Sequence, residues 1–438
     1  MLLYGLIIPM APNALHDKWS LVGFPKSPSA QDHPSLLSSA VCGYITDRVQ
    51  NRQVPFLVGV AALAVGTGLL CEGSHLALWI IGRILQGAAA AVIWTTGMAL
   101  LVDTFTNDML GQAMGYSSMA TIAGTTTGPL LGGVLYDHGG YYAPFALAFG
   151  LIGIDFLLRV VMIDPRGVKN TKTEEPGDHD REPNEKEKPD DDHPNPLKEE
   201  ERADSKARNR NSRPPNGSEA PIEQPAARRG GRFRLLFSSP RMFVILWVYL
   251  LVSATVTSFD SVLPLFVRDT FDWEPTAQGL IFIPLMVPNI LDPVSGSLID
   301  RWPAYRRLQA SLALFAVVPV LVSMRYVMEN SMRDKVLLCA LLALVGVCIG
   351  FLEPPIMVEI SCLVEDLEAH SPGVFGKGGA TALAYGISNS AFAAGSMIGP
   401  FLGGFIRDRC GWATMSWTLA VPLGISGVLV LLFFRKST

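Results

Sequence analysis

Ile122-Ala123-Gly124-Thr125-Thr126-Thr127-Gly128-Pro129-Leu130-Leu131-Gly132-Gly133 lies within a long apolar run, and its glycines and proline return at identical spacing as Gly395, Gly399, Pro400, Gly403 and Gly404. A second pattern behaves the same way, Gly43-Tyr44-Ile45-Thr46-Asp47-Arg48 being echoed by Gly296-Ser297-Leu298-Ile299-Asp300-Arg301. Two different patterns repeated in the same order indicate a duplicated unit. The fold is therefore expected to consist of two similar halves.

The sequence around these patterns is apolar over lengths that suit a bilayer. A membrane helix needs about 20 consecutive apolar residues, and such stretches fall at 54–72, 76–103, 110–136, 141–163, 242–267, 276–299, 308–328, 335–364, 378–406 and 412–434. In lipid each must be helical, because the backbone has no water to bond. The 438 residues are 49% hydrophobic and only 17% charged, with mean hydropathy +0.31. A soluble protein of that make-up would have too little polar surface to cover itself. The chain reads as an all-α membrane protein in contact with the lipid bilayer.

Residues 171–200 hold twelve acidic and five basic side chains, and residues 201–234 hold nine basic and four acidic. Such a segment cannot bury enough apolar surface to fold, so 164–241 is expected to be a disordered linker between a bundle at 1–163 and a bundle at 242–434. Arg228, Arg229, Arg232, Arg234 and Arg241 crowd just before the span at 242, which by the positive-inside rule places the linker in the cytosol. The sequon Asn216-Gly217-Ser218 would then never meet the glycosylation machinery.

The two halves are not equally complete. Only eight residues precede Pro9, residues 13–34 are polar and proline-rich, and just 35–42 is apolar before Gly43. The first two helices of the N-terminal bundle are thus expected to be shortened. Either part of the natural N-terminus is missing or the region has degenerated, and the former reading is favoured.

Other chemistries find little support. The cysteines (Cys42, Cys71, Cys339, Cys348, Cys362, Cys410) have no paired spacing and read as small apolar residues, so neither disulfide frame nor metal site is expected. The histidines lie outside the centres of the spans. No basic patch suggests nucleic acid. No signal peptide, nucleophile elbow or phosphate-binding loop is evident, and neither an enzyme nor a cofactor is expected.

The repeated patterns resemble signature motifs of the Major Facilitator Superfamily. Gly43 to Arg52 resembles its motif A, with Asp47, Arg48 and Arg52 at the expected places and Gln50 where a glycine is usual; Gly296, Asp300 and Arg301 form the second copy. The glycine would allow close helix approach, while the acid could pair with basic neighbours and with a helix end of the other half. The resemblance implies that this cluster latches the outward-open state; an ordinary interfacial anchor is the alternative. Arg83, Gln86 and Gly87 resemble motif B, whose arginine is linked to proton transfer in the family. Snorkelling of Arg83 to the nearer interface is the alternative. Gly124, Gly128, Pro129, Gly132 and Gly133 resemble motif C, a mark of the antiporter branches; the alternative is a plain packing face of small residues.

Ionisable residues at membrane depth are functional candidates by default. Asp260 and Glu353 both fall inside apolar spans, where a carboxyl resists ionisation and can bind and release a proton; each could instead be a satisfied structural acid. Asp292, before Pro293, is a weaker candidate, and Asp155 with Arg159 reads as a local i,i+4 ion pair. The stretches around Asp260 and from Glu353 to Glu365 resemble the seventh and tenth helices of vesicular amine transporters and fungal-type multidrug exporters, and Tyr385 to Phe392, leading into the second Gly-Pro unit, resembles them as well. Where animal vesicular members carry an aspartate this chain has Asn389, and no acid for the first helix is present. Strict monoamine specificity is therefore not implied.

The resemblance implies two pseudo-symmetric six-helix bundles and a proton-coupled antiporter, acting as a monomer, that exports small organic molecules (drugs, toxins or secondary metabolites) across a plasma or vacuolar/vesicular membrane. An uptake symporter and an inactive or receptor-like remnant are the alternatives.

Overall fold

The computed structural model describes residues 53–72, 76–106, 108–161, 231–273, 275–372, 374–375 and 379–434. The expected short first and second helices, Gly43, Asp47, Arg48 and Arg52, and the linker up to 230 lie outside the described residues.

The described chain is helical throughout. In the first half α1 (Gln53–Glu72), α2 (Leu76–Thr104), α3 (Leu110–Gly139) and α4 (Ala143–Val161) follow one another with short connections. The second half contains α5 (Gly231–Ser238), α6 (Pro240–Phe271), α7 (Pro275–Leu280), α8 (Ile283–Met286), α9 (Asp292–Arg301), α10 (Arg306–Ser323), α11 (Met332–His370) and α12 (Thr381–Phe433). Among the described residues, seven helical segments are long and apolar enough to cross a membrane. They cover the expected spans except those at 110–136 and 141–163, which are occupied by α3 and α4.

Three local features differ from the sequence expectation. Residues 231–238 and 240–241 are helical rather than part of a disordered linker, because the apolar side chains in and beside them have something to pack against: Leu236 and Met242 are both fully buried. The span at 276–299 is not one α-helix but α7, α8, a 3₁₀ turn at Val287–Leu291 and α9. Pro284, Pro288 and Pro293 each lack an amide hydrogen to donate, which breaks the ladder at these points. The last two spans run as one helical stretch interrupted only at Gly411, whose φ of 85° and ψ of 169° turn the chain. Gly140 stands at the same place after the first-half glycine pattern and also has positive φ, 72°. The duplication thus extends to the turn that follows each patterned helix.

Small residues bring helices together. A Cβ on Gly66 of α1 would lie 3.2 Å from the carbonyl oxygen of Gly82 on α2, so the two backbones are in contact. In the second half the aromatic rings of Phe266 and Trp412 stack at 4.0 Å between centroids, joining α6 to α12. The outer wall is apolar, with Val161, Phe401 and Leu432 exposed, as a lipid-facing surface requires.

Candidate functional site

The two halves meet along α3 and α9. Gly111, Gly115 and Ser118 recur at helical spacing on one face of α3. Opposite Gly111 stands Gly296: a Cβ added there would lie 2.9 Å from the Cα of Gln112. A Cβ on Gly115 would lie 2.7 Å from the Cα of Pro293. Only glycine allows main chains this near each other.

At one end of this seam Asp300 reaches the first turn of α3. Its Oδ1 accepts the amide of Gly111 at 2.7 Å and its Oδ2 the amide of Gln112 at 2.8 Å. Met109, which precedes the helix, offers no side-chain cap, so the carboxylate from the other half satisfies amides that the helix itself leaves open. A negative charge is also favoured there by the helix dipole. Arg301 turns instead toward Trp302, 5.6 Å from its ring centroid.

Farther along the seam lies a group of acids. Ser118 Oγ is 2.6 Å from Asp292 Oδ2 and 2.6 Å from Glu353 Oε2. One hydroxyl of the first half therefore bridges two carboxyls of the second, one from α9 and one from α11. Asp292 is fully buried, and its Oδ1 has no hydrogen-bond partner. Glu353 is half-buried and borders a small void of about 10 Å³ shared with Tyr249, Val252 and Phe392. Read from sequence, Asp292 carries little weight and Ser118 does not stand out; the structure joins both to Glu353. Asp260 stands apart. It makes no hydrogen bond or ion pair among the described residues, and its side chain is exposed. Asn389 is half-buried on α12.

Arg83 is buried rather than turned to an interface. Its Nη1 donates to Gln86 Oε1 at 3.5 Å, and Gln86 Nε2 donates to Thr67 Oγ1 at 3.2 Å. The guanidinium also sits 4.8 Å from the Trp79 ring centroid. Gly87 is buried one position on from Gln86. Along α3, Gly128 and Gly132 are buried and Gly124 partly so, and the helix continues through Pro129 and Gly133. In the second copy the stripe is a packing face: a Cβ on Gly403 would lie 2.7 Å from Ser258 Cβ, and Ser258 Oγ donates to the Gly399 carbonyl at 2.7 Å.

A charged cluster that the sequence reading missed lies on α11. Glu359 is fully buried. Arg241 donates to it through Nε at 3.0 Å, Arg306 pairs with it at 2.7 Å, and Arg241 also holds Asp366 at 2.5 Å. Arg241, read from sequence as one of a cytosolic basic group, is thus a structural ion-pair partner inside the second half. Its partner lies 118 positions away, beyond the reach of any local pattern. Asp155 and Arg159 form the expected i,i+4 pair at 3.7 Å. Among the described residues no group of three or more metal-ligating side chains is present.

Comparison with known proteins agrees with this architecture. The family model of the Major Facilitator Superfamily matches residues 33–376. The MFS-type transporter ppzB of Metarhizium rileyi is 28% identical, over 99% of this chain and 92% of that protein. The synaptic vesicular amine transporter of Homo sapiens is 22% identical, over 92% of this chain and 64% of that protein. The crystal structure of the human organic anion transporter MFSD10 (TETRAN) superimposes with a TM-score of 0.63, covering 98% of this chain and 95% of that one at 15% identity.

Proposed function

Because the chain belongs to the Major Facilitator Superfamily, we propose that this integral membrane transporter is a proton-coupled antiporter that exports small organic molecules by alternating access. The observation that carries the reading is the position of Asp292 and Glu353. Both carboxyls sit in helical segments long and apolar enough to cross a membrane and face α3 of the opposite half, where a change of charge acts directly on the contact that must break and re-form. Two similar halves rocking about such a site is the general design of secondary transporters.

Asp260 supplies a further carboxyl that can take a proton or hold a cationic cargo. Asp300 against the start of α3 fastens one face of the molecule, and the positive-inside reading of the linker's basic residues supports a cytosolic assignment for that face. The structure then corresponds to the conformation closed on that face. The resemblance of Gly124–Gly133 to an antiporter motif supports export over uptake. The monomer contains all of these groups, and drugs, toxins or secondary metabolites are the proposed cargo class. The plasma membrane or a vacuolar or vesicular membrane is the proposed location.

Secreted metabolites and toxin tolerance compared between a deletion strain and an overexpressing strain test this reading. Export predicts that at least one compound leaves the cells faster on overexpression, along with raised tolerance. Unchanged profiles across a broad panel would contradict it, and inward net flux under an imposed pH gradient would favour uptake.

A further inference from the structure

We infer that Ser118 clasps Asp292 and Glu353 across the seam only while the two carboxyls share at least one proton, and that losing this proton lets α3 and α9 part. A serine hydroxyl has one hydrogen to donate, yet Ser118 Oγ lies 2.6 Å from an oxygen of each carboxyl. It can donate to one of them. For the other contact to be a hydrogen bond, that carboxyl must itself be the donor, and so must be protonated. Two carboxyls drawn to a single hydroxyl would repel each other if both were ionised, which favours a pair holding one proton and one negative charge.

Asp292 gives an independent indication. Its Oδ1 is buried without a partner and faces the bare Cα of Gly350, as does Asn289 Oδ1, which is also buried without a donor. A carboxylate left with an orphan oxygen in that position is costly; a carboxyl sharing a proton is much less so. Among the described residues, no cationic side chain forms an ion pair with either carboxyl. From α6 Tyr249 faces Glu353, from α12 Tyr385 faces Tyr249, and Asn289 donates to the carbonyls of Leu285 and Met286.

Deprotonation would leave two anionic oxygens against one hydroxyl oxygen, the released proton passing to water. An empty carrier without its proton would then be unable to close this seam, whereas one neutralised by a proton or by cargo could. The clasp thus deepens the antiport reading and rests on it for its role in a cycle, although the clasp itself can be tested without any cargo.

The test is a distance. Phe105 and Tyr305 are exposed and flank the capped end of the seam from opposite halves. F105C and Y305C, in a full chain whose six native cysteines are replaced, carry spin labels for distance measurement in lipid nanodiscs across a pH series. The expected result is a short distance at acid pH that lengthens as pH rises. D292N should keep the short distance throughout, since its amide supplies the missing donor, and S118A should lengthen the acid-state distance. A wild-type distance that ignores pH overturns the clasp, as does D292N following the wild type. Lengthening on acidification would also overturn it, because that is the sign expected if protonation of Asp300 governed the seam; D300N identifies that case. If S118A does not fold, the wild type and D292N still decide. A pH-dependent distance without proton-driven flux would sink the antiport reading and leave the clasp standing, and the reverse combination would do the opposite.

Discussion

Asp300 Oδ1 accepts the backbone amide of Gly111 at 2.7 Å although the two residues belong to different halves of the molecule. A cap normally comes from the residue before its own helix; here the other half supplies it. The start of α3 is therefore satisfied only while the halves are together on that face. D300A removes both the cap and its charge. Loss of a cap costs about 1 kcal/mol, which corresponds to roughly a fivefold change in the closed-to-open ratio. The label pair at 105 and 305 should shift toward the long distance by that proportion, with little change in unfolding temperature.

Gly296 is the most crowded glycine of the seam, its Cα facing the peptide of Gly111. G296A inserts one methyl group where there is no room. Overpacking of this kind costs about 1–3 kcal/mol, and the strain is confined to the contact between halves. Transport rate should fall at least several-fold while the second half stays folded. G404A, which meets open space, should transport at the wild-type rate in the same flux assay.

Glu359 holds two arginines at once, so its removal should be felt as lost stability. E359A leaves Arg241 without its innermost partner and Arg306 without its counter-charge, and breaking a buried ion pair in this way costs about 3–5 kcal/mol. Thermal unfolding in detergent should shift down markedly. Replacing Glu359, Arg241 and Arg306 together with apolar residues of similar size should recover most of the loss, since the one acid that loses a partner, Asp366, is partly exposed to solvent.

The helical spans were legible because apolar length at a bilayer has one structural solution, and the duplication was legible because glycine and proline positions survive as backbone constraints. The position of Asp300 against a helix end was also foreseeable from the second motif copy. Ser118 was not, being one small polar residue in an apolar helix. A signal nonetheless existed: six positions before Gly124 stands Ser118, and six before Gly395 stands Asn389, the residue already singled out by its place in the repeat. Asp292 was undervalued because the prolines beside it suggested only a kink. Those prolines in fact break the span just before α9, and Asp292 then opens the new helix. Glu359 was invisible because its meaning lies in Arg241 and Arg306, which reach it from separate helices.

Proton-for-cargo exchange is the central claim, and flux in reconstituted vesicles tests it most directly. With the compound that the strain comparison identifies, D260N/D292N/E353Q should abolish accumulation driven by an imposed pH gradient. Undiminished pH-driven accumulation in that triple variant would contradict the account.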